Sequence, residues 1–223
     1  MAMRKMNLVW IALSWALIGT AHASATETCA TMGATQYVDQ VRYCATSVLK
    51  SQAGNHYGPG NLYDSNDQTA WCEGVRGNGE GQRISLKVVG GLAYRRLLVY
   101  NGYAKSSTSY YDNARPRTIE ISTDTGLRFR HVLPDRPGEA IIDFPEVGEY
   151  WEVVIKIIDV YPGLKYKDTC LNGLVADFEY EEMLFQQQKN RSIQPGSQSA
   201  QPALKTVPPS DMIETLPDLP SLQ

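Results

Sequence analysis

The sequence predicts an all-β protein with long loops, arranged as a sandwich or jelly roll. Apolar and polar residues alternate with a period of two in several segments after Ile84, which is typical of strands with one buried face. Turn-forming residues separate these segments, and the body has no sustained apolar stripe with the 3.6-residue period of a helix. Strands without helices between them favour a sandwich over a parallel α/β sheet.

The alternation of apolar and polar residues predicts each strand separately. The predicted strands span residues 44–49, 84–88, 97–99, 118–122, 127–130, 140–144, 151–158 and 174–180. Asp124-Thr-Gly126 is a short connection, which favours a hairpin between two of them. Val154 and Ile158 make the strand at 151–158 apolar on both faces, so we expect it to be central.

The two ends of the chain differ from this body. Residues 1–23 have a basic start, a short apolar run and a small-residue ending at Ala23, the layout of a cleavable secretory signal. The run is too short to favour a membrane span. Residues 188–223 are rich in Gln, Ser and Pro and predict a disordered tail. One domain over 24–187, secreted or periplasmic, is therefore expected.

All four cysteines follow the predicted signal, and an even number in an exported chain implies disulfides. Four cysteines allow three pairings. We favour Cys29–Cys44, which closes a short N-terminal loop, and Cys72–Cys170, which ties two distant segments together. Unpaired buried thiols are the alternative, and zinc is disfavoured because no two cysteines have ligand spacing.

The charge balance argues against nucleic acid as a partner. The formal net charge is −3, and the lysines and arginines are spread among acids. Without a basic stripe there is no electrostatic footprint for a phosphate backbone.

Few residues suggest catalysis. His56 and His131 are the histidines outside the predicted signal, and neither has the sequence context of a serine elbow or a metal-binding pair. The glycines of residues 77–81 precede a strand instead of joining a strand to a helix, which excludes a dinucleotide loop. We predict no enzyme activity, with a small hydrolase as the weaker alternative.

Two long loops carry aromatic, amide and charged side chains. Residues 101–117 contain three tyrosines, and residues 161–168 add two tyrosines and two lysines. Long structured loops are uncommon without a function. Flat rings beside hydrogen-bonding groups suit sugars, and the same set suits a protein partner. The alternative is that the tyrosines cover the sandwich ends and Arg115 pairs with an acid.

Four motifs, in chain order, resemble a known family. They are Asp64-Ser-Asn-Asp-Gln-Thr-Ala-Trp-Cys-Glu-Gly-Val-Arg-Gly-Asn-Gly-Glu-Gly81, Asn101-Gly-Tyr103, Asn113-Ala-Arg-Pro-Arg117 and Tyr161-Pro-Gly-Leu-Lys-Tyr-Lys-Asp-Thr-Cys170. Together they are similar to the bacterial discoidin-like modules called NADase-type glycan-binding domains, which are related to coagulation-factor C-type and galactose-binding-like domains. The resemblance covers about residues 40–182.

This resemblance implies a galactose-binding-domain-like jelly roll that binds a glycan, and it does not imply NADase activity. Our candidate glycan-binding residues are Tyr103, Asn113, Arg115 and Lys167. Arg115 and Asn113 would supply hydrogen bonds, and a tyrosine would supply a stacking face. The alternative partner is an envelope protein, held by the same loops and the Pro-rich tail.

The resemblance also makes one loop a candidate site for structural calcium. Asp64, Asp67 and Thr69 match the family's loop ligands, which are hard oxygen donors. The chain departs from the pattern at Gly173, which stands where a carboxylate is expected. An Asx turn, or the Cys72–Cys170 bridge, is the alternative means of closing the loop.

Overall fold

The computed structural model describes residues 26–146 and 148–193 of the chain. The ten strands of these residues are β1 (Thr28–Met32), β2 (Gln40–Ala45), β3 (Trp71–Cys72), β4 (Arg83–Val89), β5 (Arg96–Asn101), β6 (Arg115–Thr123), β7 (Arg128–Val132), β8 (Glu139–Asp143), β9 (Glu152–Tyr161) and β10 (Cys170–Ala176). The helices are α1 (Ser107–Asp112), α2 (Phe178–Ile193) and a 3-10 turn at Pro59–Leu62.

The strands form two antiparallel sheets. One has the order β1-β2-β4-β9-β6-β7, and the other has the order β3-β10-β5-β8. This arrangement confirms the predicted all-β jelly-roll sandwich. Strand β9 pairs with β4 on one side and β6 on the other, so its apolar residues on both faces do mark a central strand.

The core lies between the two sheets and follows the alternation in the sequence. In β4, for example, Ile84, Leu86 and Val88 are buried, and the residues between them are more exposed. The largest fully buried side chain is Trp71, whose indole Nε1 donates to the Ser47 carbonyl oxygen at 3.1 Å. A buried indole with a satisfied N–H anchors the start of β3 in the core.

Both favoured disulfides are present. Cys29 and Cys44 are directly opposite in the β1–β2 pair, and Cys72 and Cys170 are opposite in the β3–β10 pair. The second bridge joins residues 98 positions apart, so it restricts the unfolded chain more than the first, whose cysteines are 15 apart.

Three predicted segments differ from the structure. The last strand ends at Ala176 and not at residue 180, because helix α2 begins at Phe178. The second strand occupies Gln40–Ala45 and not 44–49. Residues 188–193, which we placed in a disordered tail, belong to α2.

The predicted signal over 1–23 and the rest of the predicted tail lie outside the described residues. In the part of the chain that is described, neither helix has the length and apolar character needed for a membrane span.

Candidate functional site

The loop of residues 64–69, which we call the clamp loop, is held by its own side chains. One carboxylate oxygen of Asp64 accepts from the Asn66 backbone N–H at 3.0 Å, and the other accepts from the Thr69 hydroxyl at 2.7 Å. Asn66 Oδ1 accepts in turn from the Gln68 N–H. These are Asx-type bonds, which hold a turn without a metal.

A side chain that follows Thr69 by 103 positions in the sequence closes the clamp loop. Asn172 in β10 is buried, and its Nδ2 donates to the carbonyl oxygens of Thr69 at 2.6 Å and Asn66 at 3.3 Å. One amide group thus satisfies two loop carbonyls that point toward the same place.

The clamp loop does not fit the calcium ion that the resemblance implies. A cation needs convergent oxygens free of donors. Here Asp64 already accepts two hydrogen bonds, and the Asn66 and Thr69 carbonyls face the N–H groups of Asn172. No group of three potential metal-ligating His, Cys, Asp or Glu side chains occurs among the described residues. The ligand role of Asp64, Asp67 and Thr69 stays a prediction, and the bonding pattern disfavours it.

The Asn101–Gly102 pair links β5 to the loops at one end of the sandwich. Asn101 is buried and donates from Nδ2 to the Pro116 carbonyl at 2.9 Å. Gly102 has φ +72°, and an added Cβ would lie 2.5 Å from Tyr110 Cε2. Glycine is therefore required for both the turn and the packing of Tyr110.

Arg115 supports this end from beneath. It is buried, and Nε and Nη2 donate to the two carboxylate oxygens of Asp135 at 2.6 and 2.8 Å. Its Nη1 donates to the Asn113 carbonyl, and its guanidinium lies 4.9 Å from the Tyr110 ring centroid. Burial acts to lower the pKa of Arg115, but the bonds to Asp135 leave it raised overall. The alternative in which Arg115 pairs with an acid is the observed one.

Above this support lies an open cleft of about 410 Å³, which we call the end cleft. It lies where β5 and β9 end and β6 and β10 begin. Its walls are formed by some of the residues in the segments 49–57, 103–113 and 166–168. The volume falls within the usual range for small-molecule sites, about 300–1,000 Å³.

The end cleft combines aromatic and polar walls. Tyr57 and Tyr103 are buried and meet edge to face with centroids 6.4 Å apart, whereas Tyr166 is 43% exposed. The Tyr103 hydroxyl donates to the Gln68 carbonyl at 3.0 Å, which ties the cleft to the clamp loop. Burial raises the pKa of Tyr103, so its hydroxyl remains a neutral donor at physiological pH.

Charged and amide side chains complete the end cleft. Two carboxylates, Asp112 and Asp168, line it, and neither side chain has a hydrogen-bond partner within the described residues. Lys105 lines the same cleft, where its Nζ approaches Asn55 Oδ1 at 3.4 Å. Within the described residues, the cleft therefore offers two negatively charged hydrogen-bond acceptors, one cation and several amides.

A buried carboxylate lies under the Gly-rich stretch next to this cleft. Glu73 has no exposed surface, and its carboxylate accepts from the backbone N–H groups of Val75 at 2.7 Å and Thr169 at 3.3 Å. Burial raises its pKa, although both N–H groups act to lower it. Gly79 has φ +75°, and an added Cβ would lie 2.5 Å from Glu73 Cγ. Gly79 thus covers a carboxylate, which explains this glycine without a phosphate.

The structure separates the residues that we predicted as glycan-binding. Tyr103 and Asn113 line the end cleft, although Asn113 Nδ2 already donates to the Ser109 carbonyl at 2.8 Å. Arg115 is buried and does not line the cleft, and Lys167 is exposed outside its lining. Contact with a glycan stays a prediction for all four.

Sequence reasoning missed other residues of the cleft. Gln52, Asn55, Lys105, Asp112, Tyr166 and Asp168 all line it. Lys105, Asp112, Tyr166 and Asp168 were inside the two loops that we singled out, but the loop of residues 49–57 gave only an irregular, Gly-rich signal. Its position opposite Tyr103 depends on the tertiary fold.

One contact bears on the hydrolase alternative. Ser51 Oγ lies 2.8 Å from His56 Nδ1, and both side chains are exposed. Neither lines the end cleft, and within the described residues no carboxylate bonds to the His56 ring. The pair lacks the orienting third group of a serine nucleophile.

Comparison with known proteins gives a family match. Residues 35–176 match the family model described as NAD glycohydrolase translocation F5/8 type C domain. Comparison with curated proteins finds no match.

Several solved structures are similar at low identity. The Clostridium perfringens module CpGH89CBM32-5, in complex with GalNAc-beta-1,3-galactose, is 16% identical, with 60% of this chain and 92% of that chain covered and a TM-score of 0.46. The family 32 CBM from C. perfringens NanJ, in complex with galactose, is 15% identical, with 60% and 90% covered and a TM-score of 0.44. The arabinofuranosyltransferase AftD from Mycobacteria is 17% identical, with 66% and 10% covered and a TM-score of 0.46.

Proposed function

The chain belongs to the family of NAD glycohydrolase translocation F5/8 type C domains, and from this premise we propose that it is an exported, non-catalytic module that binds a glycan in the end cleft. Membership agrees with the resemblance drawn from the four sequence motifs. It supports a binding module, since the matched region is the translocation domain and not a catalytic one.

The observation that carries the proposal is the chemistry of the end cleft. Tyr57, Tyr103 and Tyr166 supply flat apolar surface, and Asp112 and Asp168 supply carboxylate oxygens with free hydrogen-bonding capacity. A sugar ring has apolar C–H faces and several hydroxyl donors, so it needs both kinds of wall. A few placed polar groups among aromatic side chains are the usual composition of a small-molecule site.

Export is supported by the disulfides. Cys29–Cys44 and Cys72–Cys170 account for all the cysteines, and disulfides persist in oxidising compartments. The secretory signal over residues 1–23 would deliver the chain to such a compartment.

A glycan array tests the proposal, with a matched pair of variants. Tyr166 and Tyr111 are both 43% exposed, but only Tyr166 lines the end cleft. Tyr166→Ala should lower the affinity for the best glycan about tenfold, about 1.4 kcal/mol. Tyr111→Ala should bind like wild type.

Two results would overturn the proposal. One is an array on which the folded mature protein binds no glycan above background. The other is a glycan that binds Tyr166→Ala as tightly as wild type. If capture from the native envelope then returned a stoichiometric protein partner, the alternative of a protein-interaction module would replace it.

A further inference from the structure

A second cleft lies on the outer face of the four-stranded sheet, beside the clamp loop. It has a volume of about 250 Å³, and we call it the flank cleft. Residues 62–67 form one side, and strands β5 and β10 form the other. The residues that matter below are Tyr63, Asp67, Tyr100, Asn172 and Gly173.

The flank cleft depends on a glycine. Gly173 is paired with Tyr100 across the β10–β5 ladder, and an added Cβ would lie 2.9 Å from Tyr100 Cδ2. Without a side chain at 173, the ring of Tyr100 lies over the strand and leaves open space next to it. Gly173, which stands where the resemblance predicts a carboxylate, is therefore part of a cleft.

The ring of Tyr100 is held in place from its far end. Its hydroxyl donates to a carboxylate oxygen of Glu139 at 2.7 Å, and this bond raises the pKa of Tyr100 to about 12. On the other side, Tyr63 packs on Tyr43 with centroids 4.8 Å apart. Both tyrosine walls are thus fixed before any ligand arrives, which reduces the entropy lost on binding.

Two acceptors in the flank cleft have unused capacity. Asn172 is only 7% exposed, and its Nδ2 donates to two carbonyl oxygens of the clamp loop. Within the described residues its Oδ1 has no hydrogen bond. The carboxylate of Asp67 likewise has no hydrogen bond or ion pair in the described part of the chain, and it is the one charged group lining the cleft there. Because the protein does not enclose this amide oxygen, a ligand hydroxyl in the cleft can donate to it.

We propose that the flank cleft is a second saccharide site, separate from the end cleft, for a single neutral sugar ring. The tyrosine walls suit the apolar face of a ring, and Asn172 Oδ1 and Asp67 suit its hydroxyl donors. A volume below the range of drug-sized sites limits the ligand to about one ring. Asp67 disfavours sugars that carry a carboxylate, because like charges repel.

The test is a titration followed by amide chemical shifts of the 15N-labelled mature protein. Galactose, N-acetylgalactosamine, glucose, N-acetylglucosamine and glucuronic acid are added one at a time. At least one of the four neutral sugars should shift the amides of Asp67, Asn172 and Gly173 saturably, and glucuronic acid should not. Asp67→Ala, an exposed change, should weaken this binding about tenfold. Tyr166→Ala should leave it unchanged.

This experiment can overturn one of the two proposed sites without overturning the other. Shifts confined to the amides around the end cleft, such as those of Asn55 and Asp168, would overturn the flank cleft and leave the proposed function standing. Shifts at Asp67, Asn172 and Gly173 that Asp67→Ala does not weaken would also overturn it. Shifts at the flank cleft alone would support this inference and count against the end cleft.

Discussion

The clamp loop and the end cleft contain similar residue types and use them in opposite ways. In the clamp loop, Asp64, Thr69 and Asn172 make their hydrogen bonds to the protein itself. In the end cleft, Asp112 and Asp168 have no such bonds within the described residues. A side chain satisfied by its own fold adds stability, whereas one with open capacity is available to a ligand.

The comparison teaches that residue type alone does not identify the binding surface. Asp64, Asp67 and Thr69 have the composition of a metal or binding loop, yet two of them are bonded internally. Changes to the internally bonded Asp64 and Thr69 should therefore alter folding, and changes in the end cleft should alter binding.

The largest effect should come from the bridge beside the clamp loop. Replacing both Cys72 and Cys170 with Ala should lower the free energy of unfolding by about 4–5 kcal/mol, since the loop spans 98 positions. Urea denaturation measures it. Replacing both Cys29 and Cys44, 15 positions apart, should cost about 3 kcal/mol. An equal or larger loss in this second variant would contradict the ranking.

Asn172 should come next. Asn172→Ala removes the 2.6 Å bond to the Thr69 carbonyl and one of the three bonds to the Asn66 carbonyl, which should cost about 1–3 kcal/mol of unfolding free energy. Asn78→Ala, at a partly exposed amide, is the control and should cost little. Wild type should melt at the same temperature with calcium and with a chelator. A higher melting temperature in calcium would show that the clamp loop does hold the ion.

An Asn172→Asp variant sharpens the same point. It replaces the amide donor with a carboxylate that faces two carbonyls, so it should be less stable than Asn172→Ala without metal. Calcium should then raise its melting temperature, because oxygen ligands now converge without an N–H among them. Calcium-independent melting of this variant would contradict our explanation of why the natural loop disfavours the ion.

The cleft carboxylates should affect binding and leave stability unchanged. Asp168→Asn should weaken binding of an array-identified glycan about tenfold, about 1.4 kcal/mol, because a charged acceptor is lost. Titration calorimetry measures the affinity, and Glu149→Gln, at an exposed acid outside the cleft, is the control. A change in unfolding free energy without a change in affinity would assign Asp168 to the fold.

The smallest effect should be the pH dependence due to Glu73. Its folded-state pKa is raised by burial, so the ionised carboxylate costs stability at pH above that raised value. The cost disappears as pH falls through the raised value toward the ordinary 4.5. The melting temperature of Glu73→Gln relative to that of wild type should therefore increase as pH rises, which thermal unfolding at a series of pH values measures. Glu149→Gln, at an exposed acid that does not contribute to the Glu73 shift, is the control, and a gap that is independent of pH would contradict the assignment.

The fold was predictable because its evidence is local. Alternation in β4 and β9 reports burial directly, since each strand has one or two faces in the core. Helix α2 was missed because its sequence, rich in Gln and Glu, has no apolar stripe for a periodicity argument to detect. The boundary at Ala176 was missed because Phe178 continues the alternation of β10 into the helix.

The end cleft was only partly predictable because its evidence is not local. Tyr103 and Asn113 were found through the motifs around them, but Asn55 and Lys105 come together only after folding. The partner of Arg115 could not be identified for the same reason, since Asp135 lies 20 positions away in the sequence. A strand can be predicted from residues that are close together in the sequence. The partner of a side chain in another loop can be identified only from the tertiary structure.

The most direct test of the division between support and recognition compares two variants in one calorimetric titration. Both are measured with the same array-identified glycan, at a temperature where both are folded. Tyr166→Ala should raise the dissociation constant about tenfold, and Thr69→Ala, in the clamp loop and outside the lining of both clefts, should leave it within about twofold of wild type. An unchanged dissociation constant for Tyr166→Ala together with a raised one for Thr69→Ala would contradict the account and place recognition at the clamp loop.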